Sequence, residues 1–173
     1  MQVERTYLEL KDRTQFKAGF GDFPDVAIAS APQPQPELYR MCYRTVGEAF
    51  HWRDRWDWTD EEITAHLGNP AIQLFVAMRI TSKHAARLAG WYELRRVAED
   101  DSVEIAYFGL LPEFTRRGFG KHLLTEAVRL AWAQGARRVW LHTCTLDDPA
   151  ALPNYVARGF RPFKTEGYAT DVP

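Results

Sequence analysis

The sequence predicts a single α+β domain built on a mixed, mostly antiparallel central sheet flanked by four helices. Three observations carry this. Strand-like runs at 73–80, 88–97 and 102–111 follow one another across short polar turns, which suits antiparallel pairing. An amphipathic stretch after the loop at 114–124 then feeds ARRVWLHTC at 136–144, a buried-strand pattern reached through a helix. Finally, 173 residues, 46% of them hydrophobic, suit one core.

The elements follow in order. Residues 3–10 alternate apolar and polar and predict a strand; 11–25, with Gly19, Gly21 and Pro24, predict a loop. A short strand is expected at 26–30, then a stiff APQPQP connector. Leu38, Met41, Cys42, Thr45, Val46 and Ala49 fall at helical spacing. TDEE at 59–62 is a capping box, in which the Thr59 hydroxyl accepts from the Glu62 N–H and the Glu62 carboxylate accepts from the Thr59 N–H. It opens a second helix that GNP at 68–70 stops. After the meander, Leu123, Leu124, Ala127, Val128 and Ala131 predict the buried face of a helix ending at Gly135. Pro149 opens a last short helix ending at Gly159, and FRPFKTEGY closes the chain as an edge strand, where Pro162 is tolerated.

A net charge of −1 argues against a nucleic-acid binder, and no apolar run reaches the ~18 residues of a membrane helix. The charged, alternating start does not resemble a targeting peptide. Cys42 and Cys144 are expected to be reduced, in a cytoplasmic protein. His66, His84 and His122 show no metal-ligand spacing, so no metal is expected.

FTRRGFGKHLL at 114–124 places two glycines among basic residues at the mouth of a helix. It matches neither the G-x-x-x-x-G-K-[ST] nor the G-x-G-x-x-G phosphate signature. What remains is a general anion site: backbone N–H groups at a helix start, the helix dipole, and charge from Arg116, Arg117 and Lys121. The competing reading is a turn with solvated arginines.

VEIAYFGLLPEFTRRGFGKHLL at 103–124, VWLHTC at 139–144 and DDPAALPNYVARGF at 147–160 together resemble the GNAT superfamily of acyl-CoA-dependent N-acetyltransferases. The likeness spans roughly residues 26–166, the expected core; residues 1–25 add a strand and loop, and 1–173 form one domain. Thr115 departs from the family's usual Gln or Arg, and Asp148 from its frequent Asn. The resemblance implies acetyl-CoA as acyl donor, its pyrophosphate on the backbone of residues 117–121. Leu110, Leu111, Arg116, Arg117, Gly118, Phe119, Gly120, Lys121 and Asn154 are the expected cofactor residues.

Transfer to an amine needs a base, an oxyanion donor and an acid. Glu104, fourteen positions before Gly118, matches the catalytic Glu of histone-acetylating members; Glu93 and His142 are rivals. Each has a plainer reading, as an ion-paired carboxylate or a structural histidine. Tyr155 stands where the family's acid approaches the CoA sulfur, and a packing tyrosine is its alternative. The oxyanion donor is expected to be a main-chain N–H at Leu110 or Leu111. FHWRDRWDW at 50–58 is expected to wall the acceptor pocket through His51, Trp52 and Asp54, while Trp56 and Trp58 fill core.

The resulting expectation is an enzyme acetylating a primary amine on a small molecule or peptide, with no nucleic-acid or membrane partner and a homodimer left open. A non-catalytic acyl-CoA-binding module is the alternative; it would need neither Glu104 nor Tyr155.

Overall fold

The alternation that opens the chain forms β1 (Gln2–Leu10), which fully buries Leu8 and Leu10. The structure, a computed structural model, describes residues 1–170. β2 (Val26–Ser30), α1 (Pro36–Gly47) and α2 (Asp60–Leu67) come next. The antiparallel meander is β3 (Ile72–Ser82), β4 (Ala85–Val97) and β5 (Ser102–Leu110). It leads to α3 (Phe119–Ala133), β6 (Arg138–Cys144), α4 (Ala151–Ala157) and β7 (Arg161–Ala169). The strands form one sheet in the order β2-β3-β4-β5-β6-β1-β7, with β5 and β6 the parallel pair. The N-terminal strand, set outside the core by sequence, therefore lies between β6 and β7.

α3 buries the expected stripe: Leu123, Leu124, Ala127, Val128 and Ala131 are all fully buried. Each such leucine contributes roughly 1.5–3 kcal/mol. The Thr59–Glu62 capping box at the start of α2 is present in both directions, at 2.7 and 3.2 Å. On α1 the stripe differs from the expected one. Met41, Thr45 and Ala49 are exposed, and Tyr39, Cys42, Tyr43 and Val46 are buried. The tyrosines can enter because their hydroxyls meet polar partners inside, Tyr39 donating to Glu93 and Tyr43 accepting from the Arg55 N–H. β6 buries only alternate residues, leaving Arg138, Trp140 and His142 partly buried on its second face.

One irregularity positions the site. β5 and β6 pair only at Ser102–Arg138, Val103–Val139 and Glu104–Trp140. Beyond that, β6 follows β1 out to Cys144 opposite Arg5, and β5 follows β4 out to Leu110 opposite Gly90. The two central strands separate and leave a wedge. Glu93 pairs with Tyr107 and Leu94 with Ile105, so Ala106 is an extra residue that bends β5 at the wedge.

Candidate active site

A cavity of about 360 Å³ fills the wedge, within the range of small-molecule sites. At one end it meets the start of α3. Gly118 caps the helix at φ 79°, a left-handed conformation in which glycine escapes the Cβ clash. No side chain caps the helix, and the His122 N–H is the first to reach back, to the Gly118 carbonyl. The amides of residues 118–121 are thus without intrahelical partners, beside Arg116 and Lys121, which line the cavity and have no ion-pair partner among the described residues. Arg116 itself holds φ 58°, a strained position for a side-chain-bearing residue.

The cofactor residues expected from sequence do not all contribute in the same way. Leu110, Arg116, Gly118, Gly120, Lys121 and Asn154 line the cavity. Arg117 is exposed outside the lining, and the Phe119 ring lies in the core against Phe23 and Phe114, so each offers main chain only. Leu111 is likewise outside: its N–H donates to the Ala89 carbonyl at 3.0 Å. Alternation along the strand then turns the Leu110 N–H to the open wedge.

Tyr155 lies at the middle of the cavity, its ring between Phe108 and Phe160. Among the described residues nothing hydrogen-bonds its hydroxyl. Burial, reinforced by the charge of Asp147, raises its pKa and keeps the phenol protonated. His142 lies on the β6 wall, against the Tyr7 ring at 5.5 Å. Burial first, then the positive charge of Arg5, lowers its pKa and favours the neutral imidazole.

The two carboxylates expected as bases lie outside the cavity lining. Glu104 is buried, with Oε2 2.6 Å from Arg95 Nε; burial raises its pKa and Arg95 opposes the rise. Glu93 is fully buried beside Arg55 of the 50–58 segment, accepting from Tyr39 at 3.0 Å and Arg55 at 2.8 Å, with His66 Nε2 at 3.1 Å. Burial alone would raise the Glu93 pKa, but the His66 hydrogen bond and the Arg55 charge outweigh it and lower the pKa. Both carboxylates are occupied by internal ion pairs, a tertiary arrangement that strand position alone does not reveal.

At the far end, His51, Trp52 and Asp54 line the cavity as expected. Trp52 packs on Tyr107 at 5.0 Å, and its Nε1 donates to Asp147 at 3.4 Å. Trp56 and Trp58 pack beside the buried residues of α1 and Trp91, the first under Arg53 and the second under Arg55. Sequence reasoning missed Asp147, which also accepts from the Thr143 hydroxyl at 2.7 Å and the Cys144 N–H at 2.9 Å. It also missed Arg5, Cys144 and Tyr168, which reach the cavity because β1 lies between β6 and β7. An Asp in a turn just after a strand is a recognisable signal; the meeting of both chain ends has none.

The comparisons with known proteins agree with this geometry. The chain is 32% identical over 125 residues to a mycothiol acetyltransferase of Corynebacterium aurimucosum, covering 68% of this chain and 41% of that protein. It therefore spans less than half the length of that relative. A GCN5-related N-acetyltransferase from Sphaerobacter thermophilus shares the fold with a TM-score of 0.67 at 17% identity, over 94% of this chain and 49% of that one. An aminoglycoside acetyltransferase from an uncultured soil sample, in complex with sisomicin, gives 0.63 at 17% identity, over 78% and 88%. The profile of the acetyltransferase (GNAT) family matches residues 36–160, from α1 through the amide-lined loop to the end of α4, and the chain belongs to that family.

Proposed function

We propose that the protein is an N-acetyltransferase that moves the acetyl group of acetyl-CoA directly to a primary amine. The observation that carries this reading is the continuity of one cavity from the free amides of α3 to Tyr155 and His142. The residues suit the donor: Gly120 presents only main chain in the loop, and a Cβ there would crowd the Leu110 side chain at 3.1 Å. The amides of residues 118–121, with Arg116 and Lys121, would hold the pyrophosphate. The pantetheine arm would lie along the unpaired edge of β5 as an added strand does. Acetyl-CoA supplies a thioester whose carbonyl is open to attack.

The protein's own groups do the rest. A primary amine of pKa ~10.4 is protonated at neutral pH and must lose a proton first. His142 takes that proton, since it lines the cavity and burial favours its neutral form. The Leu110 N–H faces the developing oxyanion, and Tyr155 returns a proton to the departing sulfur. Glu104 and Glu93, each held by arginine, hold the sheet and the acceptor wall. Two free thiols, Cys42 and Cys144, suit a cytoplasmic setting.

The test is release of CoA thiol on mixing acetyl-CoA with a panel of amines, alongside calorimetry of acetyl-CoA. Amine-dependent release is expected. Tight acetyl-CoA binding with no release for any amine would instead make the protein a binding module.

A further inference from the structure

We infer that the acceptor is a small amino carboxylate of the free amino acid class, and that Arg5 binds its carboxylate. This rests on reading the cavity as an acetyl-transfer site. Arg5 is half-buried in the cavity wall on the face of β1 that also carries Tyr7, next to His142 and Cys144 of β6. Its guanidinium lies over the Tyr168 ring at 4.8 Å, which fixes its plane. Its Nε is buried with no hydrogen-bond partner, the rest of its guanidinium hydrogen-bonds the Tyr7 and Tyr168 hydroxyls, and among the described residues no carboxylate comes within ion-pair distance of it.

Arg158 Nε is likewise buried without a hydrogen-bond partner among the described residues, while other arginines are ion-paired. Arg55, Arg95 and Arg138 each have a carboxylate oxygen at 2.8, 2.6 and 2.6 Å. Glu166, the residue opposite Arg5 on β7, is taken by the Tyr7 hydroxyl at 2.5 Å and by Lys164 at 2.6 Å. A planar guanidinium fork matches a carboxylate with two parallel hydrogen bonds.

The 50–58 segment supplies the complement. Asp54 lines the cavity, has no cation within ion-pair distance among the described residues, and meets only the Tyr107 hydroxyl at 3.4 Å. An unpaired anion and an unpaired cation therefore face one cavity, with His142 also in its wall. The other unpaired cations are assigned elsewhere: Arg116 and Lys121 belong to the amide end, and Arg53 is exposed over the Trp56 ring. An ammonium drawn by Asp54 and a carboxylate held by Arg5 describe a zwitterion. A polyamine or amino sugar, carrying only cations, would instead set a positive charge against Arg5.

The experiment compares matched pairs: L-phenylalanine with phenethylamine, and L-lysine with cadaverine. The carboxylated member should lead in kcat/KM on the order of 10- to 100-fold, as charged hydrogen bonds do. Arg5→Met should erase that ratio without changing acetyl-CoA affinity, and Arg5→Lys should keep part of it. The wild-type ratio is informative even if Arg5→Met fails to fold. Calorimetry of the same pairs on CoA-saturated protein reads the contact without turnover. If nothing is acetylated yet the amino acids bind better than their decarboxylated partners, the transfer reading fails and the Arg5 contact stands. Equal or undetectable binding of both members, or faster acetylation of polyamines, overturns the inference.

Discussion

Arg55 Nη1 lies 2.8 Å from Glu93 Oε2, and this pair ties the segment bearing Trp52 and Asp54 to the middle of β4. Tyr39 donates to the same carboxylate, and Arg55 also hydrogen-bonds the Tyr39 hydroxyl and lies over the Tyr107 ring at 4.4 Å. The acceptor wall thus hangs on a buried ion pair rather than on secondary structure.

Glu93→Gln leaves the Arg55 cation without its anion. Removing one partner of a buried pair costs about 3–5 kcal/mol, so the melting temperature should fall by several degrees. In the folded variant the acceptor KM should rise while acetyl-CoA affinity holds, because the damage reaches the 50–58 segment and not α3. The pH sign follows from the lowered Glu93 pKa: its stabilisation is complete above the ordinary glutamate value of ~4.3 and is lost as pH falls through the folded value. Thermal melts across pH 3–7 (roughly the window around that value) should show this loss in the wild type and a flatter profile in the variant.

His142→Gln should lower kcat/KM about 10²- to 10⁴-fold near neutral pH and recover toward pH ~10, where the amine deprotonates unaided. Because burial and Arg5 lower the His142 pKa, the wild-type acid limb should lie below the ordinary histidine value of ~6.5. Glu104→Gln is the control. It should cost stability through Arg95 and leave kcat near wild type; an equal loss of rate in both variants would return the role to Glu104.

Tyr155→Phe keeps the ring between Phe108 and Phe160 and removes a hydroxyl that nothing among the described residues engages. The melting temperature should hold, and kcat should fall ~10²- to 10⁴-fold, as loss of a general acid does. Steady-state kinetics on the purified variant checks this. A wild-type kcat would make Tyr155 a packing residue.

Gly120→Glu places a carboxylate where the bare loop meets Leu110 and Asn154. Acetyl-CoA binding by calorimetry should be lost while circular dichroism stays unchanged. Retained affinity would remove the loop from the site.

By itself the sequence determined the features that depend on neighbours in the chain. The capping box at Thr59, the apolar stripe of α3 and the glycine-punctuated anion loop all arise from contacts within a turn or two, so spacing reveals them. The meander was legible for the same reason, since its turns are short. The tertiary structure alone decided which carboxylates are free. Glu104 and Glu93 look like bases in the sequence, yet Arg95 stands nine positions from Glu104 across a hairpin, and Arg55 reaches Glu93 from thirty-eight positions away. It likewise decided that Tyr39 and Tyr43, rather than Met41 and Thr45, face inward, because buried hydroxyls are tolerated only where a distant polar partner waits. Arg5 reaches the cavity only because the first strand lies between β6 and β7, a pairing with no trace in local pattern. Local hydrogen bonds and periodicity are written in adjacent residues; which charges end up unpaired depends on every strand that packs around them.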